Sequence, residues 1–191
     1  STISAASSSW ASGSGREHRR PGRARPTAGR MTGGLVAGGH PEVCAAAASV
    51  LRQGGNAFDA VVAAGFVAAV AEPTLTSLGG GGFLLTRSPG SPAQLLDFFV
   101  DTPGRGLAAT ALSPHFTPVT VSFSGADQVF HAGYGSVAVP GVLTGYLTAH
   151  RRLGRLPLDR VVAPAQEIAR KGAKLSATQA EVLQLLTSIL A

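Results

Sequence analysis

An uninterrupted apolar segment of twelve residues, Ala60–Ala71, limits most strongly what this chain can fold into. It lies between Asp59 and Glu72 and predicts a helix that is apolar on every side, which needs neighbours on every side. Twelve residues fall short of the roughly 20 that cross a bilayer, so we expect a buried helix and no membrane span. The chain offers few segments to cover such a helix. We therefore expect its 191 residues to be part of a larger structure.

Helix start and stop signals flank this segment. Asn56 followed by Asp59 forms a weak capping-box pattern, and Pro73 predicts the end of the helix. A preceding helix is predicted to open at His40-Pro41-Glu42, where proline and an acid suit the first turn. It is predicted to stop at Gly54-Gly55, where a left-handed cap is expected.

Four further segments predict strands because they are short, apolar and bounded by Gly or Pro; they are 33–38, 83–86, 94–100 and 136–139. Residues 101–135 show no clear period. Helices are predicted from Pro140-Gly141 to Arg152, in a turn at 158–162, from Pro164 to Lys171, and over 177–190. This order predicts a layered α/β (α+β) fold.

The net charge of +6 is concentrated in one segment. Residues 1–30 hold six of the sixteen basic residues and one of the ten acids, which leaves the remainder nearly neutral. Ser, Gly, Arg and Pro dominate residues 1–32, which cannot bury enough apolar surface to fold, so we expect a disordered basic extension. We expect it to be solvated, with no specific nucleic-acid partner, and we place the folded domain at 33–191.

The four consecutive glycines Gly79–Gly82, named here the glycine loop, do not predict a phosphate site. A phosphate loop continues through Gly-Lys-Ser/Thr into a helix, whereas Phe83-Leu84-Leu85 predicts a strand. We expect close backbone packing beside an active site instead. Asp97 and Asp101 flank a strand end and could simply cap loops.

The single cysteine and the histidines predict no metal site. Cys44 lies in an alanine run, where a small buried thiol is expected, and it excludes an internal disulfide. The spacing along the chain does not match that of metal ligands for any of the four histidines His40, His115, His131 and His150. We expect His150, beside Arg151 and Arg152, to be a solvated cation at a helix end.

Several blocks, in order, resemble the N-terminal half of the gamma-glutamyltransferase (gamma-glutamyltranspeptidase, glutathione hydrolase) large subunit. Each block alone is weak, and their shared order and spacing over residues 33–176 make the match specific. The blocks are Gly34–Ala37 with His40-Pro41, Leu51–Ala60, Val70–Pro73, Gly79–Leu85, Ser136–Gly141, Leu156–Leu158 and Val162–Ala165.

The resemblance implies a self-cleaving precursor with an N-terminal-nucleophile αββα sandwich, of which this chain is a part. It implies cleavage of gamma-glutamyl amides such as glutathione, with transfer of the acyl group to water or an amino acid. The implied nucleophile is a threonine that opens the small subunit, which we expect beyond residue 191. The chain alone is then expected to be inactive, to need that C-terminal partner, and to use no cofactor or metal. Ser1 and Thr2 precede the matching region and are rejected as nucleophiles.

One departure from the family pattern concerns substrate binding. The family commonly has Asp-x-Arg-Glu-x-Ala-Pro where this chain has Asp97–Pro103, so Phe99 occupies the position of the arginine that holds the substrate carboxylate. Phenylalanine cannot form a bidentate ion pair. Arg105, in the following loop, is the candidate to replace it. Alternatively, Phe98 and Phe99 are strand residues, one of them packed inward.

Two alternatives to a gamma-glutamyl enzyme stay open. The Phe99 departure favours a related amide hydrolase, similar to cephalosporin acylases, with a more apolar acyl group. A non-catalytic homologue whose basic extension binds polyanions is the other. The N-terminus has no apolar signal-peptide core as it stands, so the cytoplasm is slightly favoured while the compartment stays unassigned.

Overall fold

The structure is a computed structural model that describes residues 34–108, 111, 113–123 and 125–190. The predicted basic extension over 1–32, including Ser1 and Thr2, lies outside these residues. The helices are α1 (Pro41–Arg52), α2 (Ala57–Ala71), α3 (Val142–Leu153), α4 (Leu158–Lys171), α5 (Ala177–Leu185) and α6 (Thr187–Leu190). The strands are β1 (Phe83–Thr86), β2 (Gln94–Asp97), β3 (Thr117–Phe123) and β4 (Ala126–Ala132).

The predicted caps of α1 and α2 are confirmed. The His40 side chain accepts the Glu42 N–H at 3.2 Å, and α1 ends before Gly54, whose φ of 92° is left-handed. At α2 the capping box is complete. The Asn56 side chain accepts the N–H of Asp59 at 2.9 Å, and the Asp59 carboxylate accepts the Asn56 N–H at 2.9 Å.

Helix α2 is the centre of the core and packs against α1, α3 and α4. Val62, Ala63 and Val67 are almost fully buried, and burying one valine stabilises a fold by about 1.5–3 kcal/mol. Helix α2 was predicted to be buried on every side, but within the described residues its burial is incomplete, because Val61 is 40% exposed. The Val61 side chain lines a cavity that the loop after α2 also lines.

Two antiparallel hairpins accompany the helices. Strand β1 pairs with β2, with Leu84 opposite Leu96, and both of these side chains pack towards the helical core. Strand β3 pairs with β4 from Thr117 opposite Ala132 to Phe123 opposite Ala126. The second hairpin lies where no period was predicted. Thr120 and Ser122 alternate with apolar residues there, a strand signal that the surrounding Gly and Pro residues obscured.

Two predicted strands are absent from the described residues. Residues 34–38 form no strand, and Leu35 is 97% exposed, because no neighbouring strand pairs with this segment. Around residues 136–139 the chain forms a short 3₁₀ helix (Tyr134–Ser136) and then one bridge between Val139 and Asp101. Val139 and Asp101 thus form a single bridge where a strand was predicted.

Helices α4 and α5 also depart from their predicted bounds. Helix α4 continues through Pro164, which was predicted to begin a new helix. Proline removes one helical hydrogen bond, but burial of Val161 and Ala165 on either side holds the helix together. The predicted last helix is interrupted at Leu186, which separates α5 from α6.

Candidate functional site

Backbone from three parts of the chain meets at the glycine loop. The carbonyl oxygen of Gly80 accepts the N–H groups of Gly141 and Val142, both at 3.0 Å. Gly82 and Phe98 exchange backbone hydrogen bonds of 3.3 and 3.1 Å, which continue the β1–β2 pairing. The start of α3 and the exit of β2 are thereby both fixed to the loop.

Close packing at this junction leaves no room for a Cβ atom. A Cβ on Gly81 would collide with the backbone of Phe99 and Val100, and one on Gly141 would collide with the Phe98 carbonyl. Backbone atoms cannot rotate away as side chains do, so only glycine fits. The predicted close backbone approach at the glycine loop is confirmed.

The side chains of Phe98 and Phe99 leave the exit of β2 in opposite directions. Phe98 packs inward against Gly145, where a Cβ would collide with its ring, and lies 5.8 Å from the Tyr146 ring. Phe99 is 57% exposed. The prediction that one of the two packs inward is therefore confirmed.

Phe99 belongs to an exposed apolar surface on the side of β1–β2 that faces away from the helices. Its ring stacks on Phe83, with centroids 5.4 Å apart and planes inclined by 9°. Leu85 and Leu95 are paired across the strands on the same side and are also exposed. We name these four residues the outer apolar face.

The candidate cation Arg105 lies in the loop after β2. Its Nη1 atom is 2.8 Å from Oδ2 of Asp101, and its side chain is 86% exposed. Gly104 and Gly106 on either side have φ values of 89° and 86°, which favour glycine. Asp97 and Asp101 each accept a nearby backbone N–H, of Phe99 and of Thr102, as predicted for loop caps.

A cavity of about 600 Å³ lies between α2, the start of α3 and the glycine loop. Tyr146 lines it, and burial raises the pKa of the Tyr146 phenol above its usual value. The ring lies over Gly65, where any Cβ would collide with it, and meets Phe66 edge-on at 5.5 Å. The Thr74 hydroxyl oxygen is buried at this cavity with no hydrogen-bond partner in the part of the chain described.

Asp59 is fully buried, and sequence reasoning assigned it only a capping role. Its carboxylate also accepts the backbone N–H groups of Arg155, at 2.9 and 3.0 Å, and of Leu156, at 3.3 Å. The Asn56 amide donates to the Leu153 carbonyl at 2.6 Å. These bonds tie the start of α2 to the turn between α3 and α4.

The prediction for His150 is wrong. Its side chain is only 12% exposed, and Nε2 lies 2.8 Å from the Leu156 carbonyl oxygen and 3.7 Å from the Asp59 carboxylate. The chain turns back after α3 and covers the ring, which the neighbouring Arg151 and Arg152 gave no reason to expect. His150 is thus part of the buried contact at Asp59.

The other candidate ligands do not converge. His40 lies at the start of α1, where the helix was predicted to open, and its side chain caps the helix. His115 precedes β3, His131 lies on β4, and both are exposed. Cys44 is half-buried, with its sulfur near Gly38, so it is less buried than predicted. Across the described ranges no three His, Cys, Asp or Glu side chains are grouped to hold a metal ion. The same residues include no helix with the length and apolarity to cross a membrane.

Comparison with known proteins gives a consistent result. The family model described as Gamma-glutamyltranspeptidase matches residues 44–190. The glutathione hydrolase proenzyme of Pseudomonas aeruginosa is 34% identical over 161 residues, covering 82% of this chain and 27% of that protein. The Acylase ACY 1 proenzyme of Pseudomonas sp. (strain SE83) is 36% identical over 141 residues, covering 73% and 25% respectively.

The fold also matches a solved structure from the family that the family model describes. The crystal structure of Helicobacter pylori gamma-glutamyltranspeptidase superposes with a TM-score of 0.67 at 28% identity, covering 86% of this chain and 45% of that one. The chain spans about a quarter of the length of the curated relatives it matches. Its mixed helix and strand fold is that of N-terminal-nucleophile hydrolases, and the chain belongs to the gamma-glutamyltranspeptidase family.

Proposed function

We propose that this chain forms the acyl-binding side of an enzyme that cleaves gamma-glutamyl amides, such as glutathione, and transfers the acyl group to water or an amino acid. Family membership supports the reaction class. The observation that carries the proposal is the outer apolar face beside the glycine loop, because it leaves an apolar strand surface next to a rigid backbone junction.

The outer apolar face supports a layered arrangement. Leu84 and Leu96 point towards the helices, and Phe83 and Leu85 point to the opposite side of the same strands. A sheet with apolar side chains on both faces needs cover on both faces. We propose that a second sheet, from polypeptide outside residues 1–191, packs on Leu85 and Leu95 and completes an αββα sandwich. Phe83 and Phe99, beside the glycine loop, are then left to contact the acyl group.

The nucleophile is proposed to come from that same polypeptide. A threonine hydroxyl, deprotonated by the amine at its own N-terminus, attacks the amide carbonyl carbon. The C–N bond then breaks, the departing amine takes up the proton, and the acyl group stays on the threonine oxygen as an ester. Water or an amino acid amine attacks the ester and regenerates the hydroxyl. The role proposed for this chain is to bind the acyl group.

Activity of the complete gene product tests the proposal. We expect release of glutamate from glutathione, precursor cleavage into two chains, and loss of both when the new N-terminal threonine is replaced by alanine. Residues 1–191 expressed alone should release no glutamate, while mixing them with the second chain tests whether the two parts reassemble. A complete, cleaved protein that hydrolyses no amide would contradict the proposal.

A related acylase is the second candidate. The stacked pair Phe83 and Phe99 favours it, because two exposed aromatic rings suit an apolar acyl group better than a charged one. The 36% identity to the Acylase ACY 1 proenzyme supports it as well. Comparing kcat/KM for gamma-glutamyl and unsubstituted acyl anilides separates the two candidates. A strong preference for the gamma-glutamyl group would exclude the acylase.

A further inference from the structure

We propose that Arg105 is the residue that binds the carboxylate of the gamma-glutamyl group, which it reaches by leaving Asp101; this inference rests on the proposed function. A gamma-glutamyl group carries a carboxylate on its α-carbon, and a carboxylate that leaves water needs a cation or several N–H donors. Phe99, exposed at the exit of β2, offers neither. The guanidinium of Arg105 offers both.

The contact between Arg105 and Asp101 is suited to exchange. Both side chains are exposed, at 86% and 49%, and an exposed ion pair contributes little to stability. A substrate carboxylate can therefore replace that of Asp101 at small cost. The guanidinium is already oriented towards a carboxylate two residues beyond Phe99, where the apolar surface ends.

The two partners differ in how the backbone holds them. Asp101 is fixed, because it exchanges backbone hydrogen bonds of 3.1 and 2.7 Å with Val139. Arg105 lies in a turn between two glycines with positive φ, closed by a 3.0 Å hydrogen bond from the Leu107 N–H to the Gly104 carbonyl. The turn brings Arg105 back to Asp101, just after the end of β2, while the Arg105 side chain stays exposed to solvent.

No other cation in the described part of the chain is as well placed. Arg87 follows β1 at the end of the hairpin opposite to Phe99, six strand positions away, or about 20 Å at roughly 3.3 Å per residue. The remaining described Lys and Arg residues lie on α1, α3 and α4 or in the loops beside them.

The test compares two substrates that differ only in the carboxylate, gamma-glutamyl anilide and gamma-aminobutyryl anilide, with the complete gene product. We expect Arg105→Gln to raise KM for gamma-glutamyl anilide by about tenfold, with kcat nearly unchanged, and to leave gamma-aminobutyryl anilide unaffected. Arg105→Lys should restore part of the affinity. Asp101→Asn should lower KM for the gamma-glutamyl substrate, because the competing carboxylate is gone.

Arg87→Gln is the matched control and should leave both substrates unchanged. Equal effects of Arg105→Gln on the two substrates, or no effect on either, would overturn the inference while the proposed function stands. If the unaltered protein turns over neither anilide and no glutathione, the proposed function fails and the inference fails with it.

Discussion

The buried carboxylate of Asp59 accepts the backbone N–H of Arg155, 96 residues later in the chain, through both of its oxygens. The same carboxylate closes the capping box of α2 through the Asn56 N–H. One side chain therefore fixes the start of the central helix and the turn between α3 and α4. A negative charge at the N-terminus of α2 is also stabilised by the helix dipole.

Replacing Asp59 should cost far more stability than replacing an exposed acid. Asp59→Ala leaves the N–H groups of Asn56, Arg155 and Leu156, which lie in partly buried contacts, without an acceptor. We therefore expect a loss of about 3 kcal/mol in unfolding free energy. Urea denaturation of the complete gene product measures it. Asp127→Asn, on exposed β4, should change stability by less than about 0.5 kcal/mol. Equal losses in the two variants would contradict this role for Asp59.

The glycine junction predicts a contrast between two glycine substitutions. Gly141→Ala places a Cβ against the Phe98 carbonyl, and the backbone must shift, so we expect a loss of about 1–3 kcal/mol. Gly79→Ala is the control, because a Cβ there comes no nearer than 3.7 Å to another described atom and its φ is not positive. Thermal unfolding of both variants measures the difference. Equal stability of Gly141→Ala and Gly79→Ala would show that the backbones at the junction are not tightly packed.

Burial of the Tyr146 phenol predicts a loss of stability at alkaline pH. Because the folded protein raises the pKa of Tyr146, the folded state holds the proton more tightly than the unfolded state. The resulting stability is complete below the unfolded tyrosine pKa of about 10, and it is lost as pH rises through the higher folded pKa.

The variant Tyr146→Phe should remove this alkaline dependence, which urea midpoints measured on both sides of about pH 10 would reveal. Tyr134→Phe is the control, since Tyr134 is exposed and is the other tyrosine of the chain. An alkaline loss that persists in Tyr146→Phe would assign the effect to other groups.

Local signals made helices α1 and α2 predictable. The Asn56–Asp59 capping box and the glycines after α1 act within a few residues, so their geometry follows from the sequence. Long-range partners could not be read in this way. Nothing near Asp59 in the chain indicates Arg155, and nothing near His150 indicates that the following turn covers its ring.

Tertiary packing explains an element boundary that was predicted wrongly. Pro164 was predicted to begin a helix, but the neighbouring buried residues Val161 and Ala165 outweigh one lost hydrogen bond. At the site, the divergence of Phe98 and Phe99 followed from strand alternation. The stacking of Phe99 on Phe83 depends on strand register, which the sequence does not contain explicitly.

Phe99→Arg should shift the acyl preference towards gamma-glutamyl substrates. The new guanidinium at the exit of β2 can bind the substrate carboxylate, so we expect KM for gamma-glutamyl anilide to fall by about tenfold, and Phe99→Arg to rescue Arg105→Gln. Loss of the Phe83 stacking should cost about 0.5–1.5 kcal/mol. Phe123→Arg, on the other hairpin, is the control and should leave both anilides unchanged. A fall in kcat/KM for both anilides would mean that Phe99 supports the site through packing alone.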